Sequence, residues 1–81
     1  MRYARDPRVL WRSTSRGPVL LAPNQPQPEL LGGAAAVVWE VLDDALTSEE
    51  IGRMAGELVG PIDSTAAALD LSSRGLLLEI P

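Results

Sequence analysis

The chain contains no cysteine, no histidine and no lysine. Without cysteine there are no disulfides, no thiolate nucleophile and no Cys-based zinc site. Without histidine the commonest metal ligand and the commonest general base are missing. Any chemistry would be left to carboxylates and hydroxyls, and no cofactor or metal is implied. The missing lysines leave arginine as the sole cationic side chain, seven Arg against eleven Asp and Glu, for a net charge of −4. Nonspecific DNA affinity comes from many cationic contacts, so nucleic acid is not the expected partner. No run approaches the roughly 18 apolar residues of a membrane span, and Met1-Arg2-Tyr3-Ala4-Arg5-Asp6 has no hydrophobic signal core behind its charges. The chain reads as cytoplasmic, with no membrane partner.

What is present belongs to a small globular domain. Eighty-one residues make one domain that buries a little over ~60% of its unfolded surface, so its core is modest. A hydrophobic content of 46% against 22% charged residues separates it from disordered chains. The run from Leu30 to Asp43 is the organising stretch, since from Ala34 to Val41 all but Glu40 are apolar. At helical spacing Ala35, Val38, Trp39 and Leu42 form one face, and Ala34, Val37 and Val41 a second, with Glu40 and Asp43 toward water. A helix apolar on two sides needs cover on two sides. It is therefore expected at the centre, with helices on one flank and a sheet or ribbon on the other.

Residues 1–7 carry charge and a proline and are expected to be loosely held. Arg8-Val9-Leu10-Trp11-Arg12, bounded by Pro7 and by Ser13-Thr14-Ser15-Arg16-Gly17, reads as a strand followed by a turn. Pro18-Val19-Leu20-Leu21-Ala22 reads as its hairpin partner. Three prolines follow within Pro23-Asn24-Gln25-Pro26-Gln27-Pro28, and because proline cannot donate to a ladder, Glu29-Leu30-Leu31 can form only a short edge strand. Gly32-Gly33 then opens the central helix. Thr47-Ser48-Glu49-Glu50 opens the next with a capping-box pattern, and Ile51, Met54, Ala55 and Leu58 share its apolar face up to Gly60-Pro61. Asp63 or Ser64 caps a third helix that Gly75 ends. In it, Ala68 and Leu71 face the core and Ala67, Asp70 and Arg74 lie along the neighbouring edge. The tail Leu76–Ile80 is apolar enough to cover the core or to pair with the first strand.

Charge is unevenly placed. Arg2, Arg5, Arg8, Arg12 and Arg16 precede residue 17, whereas ten of the eleven acids lie from Glu29 onward. The basic segment either presents solvated outward positions of a first strand or meets an acidic peptide or partner.

The order strand, strand, short edge strand, then three helices gives an α+β fold: a winged helix-turn-helix with an N-terminal three-stranded antiparallel β-sheet. Val9-Leu10-Trp11-Arg12, Val19-Leu20-Leu21-Ala22-Pro23, the run Glu29 to Asp43, Thr47-Ser48-Glu49-Glu50-Ile51 and Ser73-Arg74-Gly75-Leu76-Leu77 together resemble the PqqD family. That family comprises the peptide chaperone of pyrroloquinoline quinone biosynthesis and the similar RiPP recognition elements, and the resemblance covers residues 8 to about 78. It implies a protein without catalytic residues that binds the leader of a ribosomally made precursor peptide. The leader adds as an antiparallel strand to the third strand, beside the third helix, and is presented to a separate modifying enzyme or leader peptidase. Carried onto this chain, the edge is Gln27, Glu29, Leu30 and Leu31, and the helical wall is Ala67, Asp70, Leu71 and Arg74. A short exposed edge beside a helix with small side chains is also what strand addition needs on physical grounds. The plain structural alternative makes Leu30, Leu31 and Leu71 core and Asp70–Arg74 a solvated pair.

Other classes are weaker. A winged-helix DNA-binding regulator would place arginines or lysines on its third helix, and residues 64–74 hold only Arg74. Asp43-Asp44 and Glu49-Glu50 stand at helix ends, where paired acids are linkers and caps rather than a catalytic centre. A non-catalytic subunit that only docks on a partner enzyme would be favoured by an exposed Trp11.

Overall fold

The computed structural model describes residues 1–81. The elements in chain order are β1 (Arg2–Arg5), β2 (Leu10–Thr14), β3 (Gly17–Leu21), β4 (Glu29–Leu30), α1 (Gly33–Val41), α2 (Ser48–Val59), α3 (Ser64–Ser73) and β5 (Leu77–Ile80). They form an α+β domain with two antiparallel sheets, one ordered β2-β3-β4 and the other pairing β1 with β5. Helix α1 touches α2, α3 and β3, as a helix apolar on two sides requires. Val38 and Trp39 have no exposed surface, and Val41 and Leu42 are buried with them.

Alternation along the three-stranded sheet separates its faces. Pro18, Leu20 and Ala22 are buried against the helices, with Trp11 opposite Leu20 on the same side. Leu10, Arg12 and Thr14, opposite Leu21, Val19 and Gly17, form the outer face. The β2–β3 turn needs its glycine twice over. Gly17 takes φ +127, and a Cβ there would stand 2.8 Å from the carbonyl oxygen of Leu31.

Helix ends follow local chemistry. The Thr47 hydroxyl accepts from the Glu50 N–H at 3.2 Å and the Glu50 carboxylate from the Thr47 N–H at 2.9 Å, a complete capping box. Asp63 accepts from the Ala66 N–H at the start of α3. At its end the Leu76 N–H reaches the Leu71 carbonyl and the Gly75 N–H that of Ser72, a Schellman turn with Gly75 at φ +76.

Several expectations are corrected. Residues 1–7 are not loose: Arg2–Arg5 pairs with Leu77–Ile80, and the Tyr3 side chain is buried. Tyr3 and Leu46 also exchange both backbone hydrogen bonds, at 2.7 and 2.9 Å. The tail therefore pairs with β1 and not with the strand around Trp11. That strand begins at Leu10 because Arg8 and Val9 are used in a corner built on Asp6, whose carbonyl accepts from the Val9 N–H. Its buried carboxylate accepts from the Arg8 N–H at 2.9 Å and from the Arg8 guanidinium at 3.1 and 2.7 Å. On α2, Ile51 and Ala55 are core, but Met54 and Leu58 are exposed, Leu58 at 68%. The small domain covers only one side of that helix. Ala67, expected at an edge, is buried.

The termination of α1 explains the order of β1. Its last turn carries no basic residue, and Arg5 supplies the charge from outside. Arg5 Nε donates to the Trp39 carbonyl at 2.8 Å and Nη2 to the Glu40 carbonyl at 3.0 Å, with Asp43 at 3.2 Å. The same guanidinium lies 4.4 Å from the centre of the Trp11 ring and 5.6 Å from that of Trp39, while the two indoles meet edge to face at 5.8 Å.

Trp39→Ala is expected to lose about 3–5 kcal/mol of stability through the cavity left behind, measured by urea unfolding. Acid is expected to destabilise the fold. The Arg8 guanidinium and backbone N–H hold the Asp6 carboxyl below its ordinary value, and the Thr47 N–H and hydroxyl do the same for Glu50. Groups that titrate lower when folded stabilise above their unfolded values of ~4 and lose that contribution as pH falls through the folded ones. Melting temperature should therefore drop below about pH 4, and Asp6→Asn should flatten part of that dependence.

Candidate functional site

Strand β4 is one border of its sheet, and its hydrogen bonding follows from the register. The Leu31 N–H donates to the Pro18 carbonyl at 2.9 Å, and Val19 faces Leu30 while Leu20 faces Glu29. In an antiparallel ladder bonded and non-bonded pairs alternate, so Glu29 bonds with Leu20 and the Leu30 N–H and C=O turn away from β3. No strand lies on that side. Pro28 adds only a carbonyl, having no N–H to give.

The eight residues singled out for this region divide sharply. Gln27 is exposed in the proline segment. Leu30 is 48% exposed and belongs to the outer face with Val19. Leu31, Ala67 and Leu71 are buried members of the core cluster, so they form the floor under the region and not its contact surface. Glu29, Asp70 and Arg74 come together: Arg74 Nη2 donates to Glu29 Oε1 and Nη1 to Asp70 Oδ2 at 3.4 Å. Gln25 Nε2 also donates to Glu29 Oε1, at 3.2 Å. The end of α3 is thus tied to β4 by charge across a separation of 45 residues. Partial burial works to lower the Arg74 pKa, but the hydrogen bonds and charges of Glu29 and Asp70 outweigh it and raise the value.

Beside this bridge lies a polar recess of about 260 Å³ lined by Arg8, Ala22, Pro23, Asn24, Arg74 and Gly75. Both guanidiniums already have carboxylate partners, Asp6 for Arg8 and Glu29 with Asp70 for Arg74, so the recess is balanced in charge. No cluster of three acids is placed to hold a metal ion. What the region can do chemically is pair backbone with backbone at Leu30 and offer the Glu29–Arg74–Asp70 charges alongside.

Sequence reasoning missed the second border, β2, whose outer side is also free because β5 pairs with β1. The available signal was the short turn that fixes the Leu10–Thr14 register. No helix is long and apolar enough to cross a membrane. Compared with protein-family models, curated proteins and solved structures, the chain matches none.

Leu30→Pro removes an N–H that serves no ladder bond, so it should change stability by no more than about 1 kcal/mol, whereas Leu20→Pro, which breaks a central strand, should lose ~3 kcal/mol or more. Urea midpoints of the two variants check the alternation directly. A large loss for Leu30→Pro would mean its N–H points into the sheet.

Proposed function

We propose that this chain is a leader-recognition domain of the PqqD and RiPP recognition element kind, with β2–β3 as the wing and α2–α3 as the helix-turn-helix of a winged fold. It binds the leader segment of a ribosomally synthesised precursor peptide in the cytoplasm. It has no catalytic chemistry of its own and presents the peptide to a modifying enzyme or leader peptidase. The observation that carries this reading is the unpaired Leu30 N–H and C=O on the open border of β4, next to the exposed charged end of α3. Backbone pairing at that border supplies affinity without regard to side chain, and flanking groups supply selectivity.

The residues that would do the selecting are those at the surface. Leu30 offers an apolar side chain on the outer face, and Arg74 offers a guanidinium whose ties to Glu29 and Asp70 a leader carboxylate would compete for. Leu31, Ala67 and Leu71 shape the region from below by fixing how closely β4 and α3 approach.

The test is titration of a fluorescently labelled leader from the precursor encoded beside this chain. Binding at about micromolar Kd or tighter is expected, abolished by Leu30→Pro and weakened several-fold by Arg74→Ala. Equal affinity in both variants would remove the leader from this border. Salt-sensitive binding to duplex DNA in place of peptide binding would replace the reading with that of a winged-helix regulator.

A further inference from the structure

The longer free border is β2. The Leu31 N–H bond to Pro18 sets the phase of the whole sheet. Leu20 directs its N–H and C=O toward Glu29, so Val19 and Leu21 direct theirs toward Arg12 and Leu10. Trp11 and Ser13 are then the residues whose backbone groups point outward. Each offers a donor and an acceptor, whereas β4 offers one such residue, Leu30. None of the five β2 residues is buried, and no strand lies beyond them.

The surface next to this border is apolar and basic. Leu10, 68% exposed, sits with Val19, Leu21 and Pro28 around a shallow depression of about 340 Å³ on the outer face. Arg12 lines the same depression. Arg2, Arg5, Arg8 and Arg74 each hold a carboxylate, but Arg12 and Arg16 hold none. The opposite face of the border is different. There Ser13 Oγ lies 3.4 Å from Glu40 Oε1, and Trp11 is covered by Arg5, whose own charge is met by Asp43 and helix carbonyls.

We propose that β2 is a second strand-accepting border, and that its occupant is an extended acidic and apolar segment of a partner protein. The guest adds antiparallel, bonds to the backbone of Trp11 and Ser13, and places a carboxylate opposite Arg12 and an apolar side chain two residues later opposite Leu10. Arg12 and its guest neighbour form a non-hydrogen-bonded pair, the closer of the two spacings, where an opposite charge counts most. Glu40 keeps a second acid off the inner face, which sets the order acid, any residue, apolar. Charge argues against a second copy of this chain as the occupant. No acid lies in β2, and antiparallel pairing of Trp11 in one copy with Ser13 in the other would set the two unpaired Arg12 side chains opposite each other.

The experiment is fluorescence anisotropy with a labelled β-prone peptide centred on Asp-Thr-Leu, against its Lys-Thr-Leu counterpart, with the full chain. The acidic peptide is expected to bind about tenfold more tightly than the basic one, and Arg12→Glu to reverse that preference. Ser13→Pro should abolish binding, because it removes an outward N–H and spares the β2–β3 ladder; its melting curve reports whether the fold survives. The Arg12→Glu reversal needs no backbone change and decides the matter if Ser13→Pro unfolds. Leu30→Pro should leave binding unchanged, which separates this border from that of β4. Equal affinity for the two peptides, no binding of either, or loss in Leu30→Pro with Ser13→Pro unaffected would overturn the proposal. So would a dimer in sedimentation that Ser13→Pro dissolves.

Discussion

The fold depends on one side chain reaching across it. Arg5, from the first strand, closes the end of the central helix by donating to the carbonyls of Trp39 and Glu40. Its flat guanidinium also packs over Trp11 of the hairpin and near Trp39. Each contact alone is modest, since a cation–π pair contributes ~0.5–2 kcal/mol depending on its burial and a charge at a helix end ~0.3–1 kcal/mol. Together they fasten β1, β2 and α1 at a single point. Trp39 makes the arrangement worth having, because it is fully buried and fills the space where the helix meets the hairpin. Its indole N–H is left without a partner, a penalty of ~1–3 kcal/mol that the packing of so large a ring offsets.

From that point the two sheets divide the work. Because β1 is held in place, it captures the C-terminal strand, and the pair covers Tyr3 and Leu77 in the core. The tail is then unavailable to the three-stranded sheet, whose two outer strands stay open. The open borders are thus a by-product of how the ends are secured. Natural sheets usually blunt such borders with prolines, charges or short strands. This chain does so unequally, with Pro26 and Pro28 leading into a two-residue β4 and only arginine on the five-residue β2.

Much of this was legible in the amino-acid order. Signals confined to a few neighbouring residues survive folding intact: the Thr47–Glu50 cap, Gly75 at the end of α3, the hairpin around Ser15-Arg16, and the two-sided apolarity of α1. What could not be read depends on distant partners. Arg2–Arg5 has little strand character until the tail at 77–80 lies beside it, and nothing local links Glu29 with Arg74. The site residues divide for a related reason. An apolar residue near a groove looks the same in sequence whether it lines the wall or lies beneath it, and Leu31, Ala67 and Leu71 lie beneath. Met54 and Leu58 show the converse, apolar spacing on a helix face that this small domain has no element to cover.

The pairing of Arg2 with Ile80 brings the first and last strands of the domain together. Residues facing each other in an antiparallel ladder have Cα atoms ~5 Å apart, so the two ends leave the domain side by side. A short bridge of a few residues would join them, which makes the domain suited to circular permutation and to insertion into a surface loop of a host protein without spreading that loop.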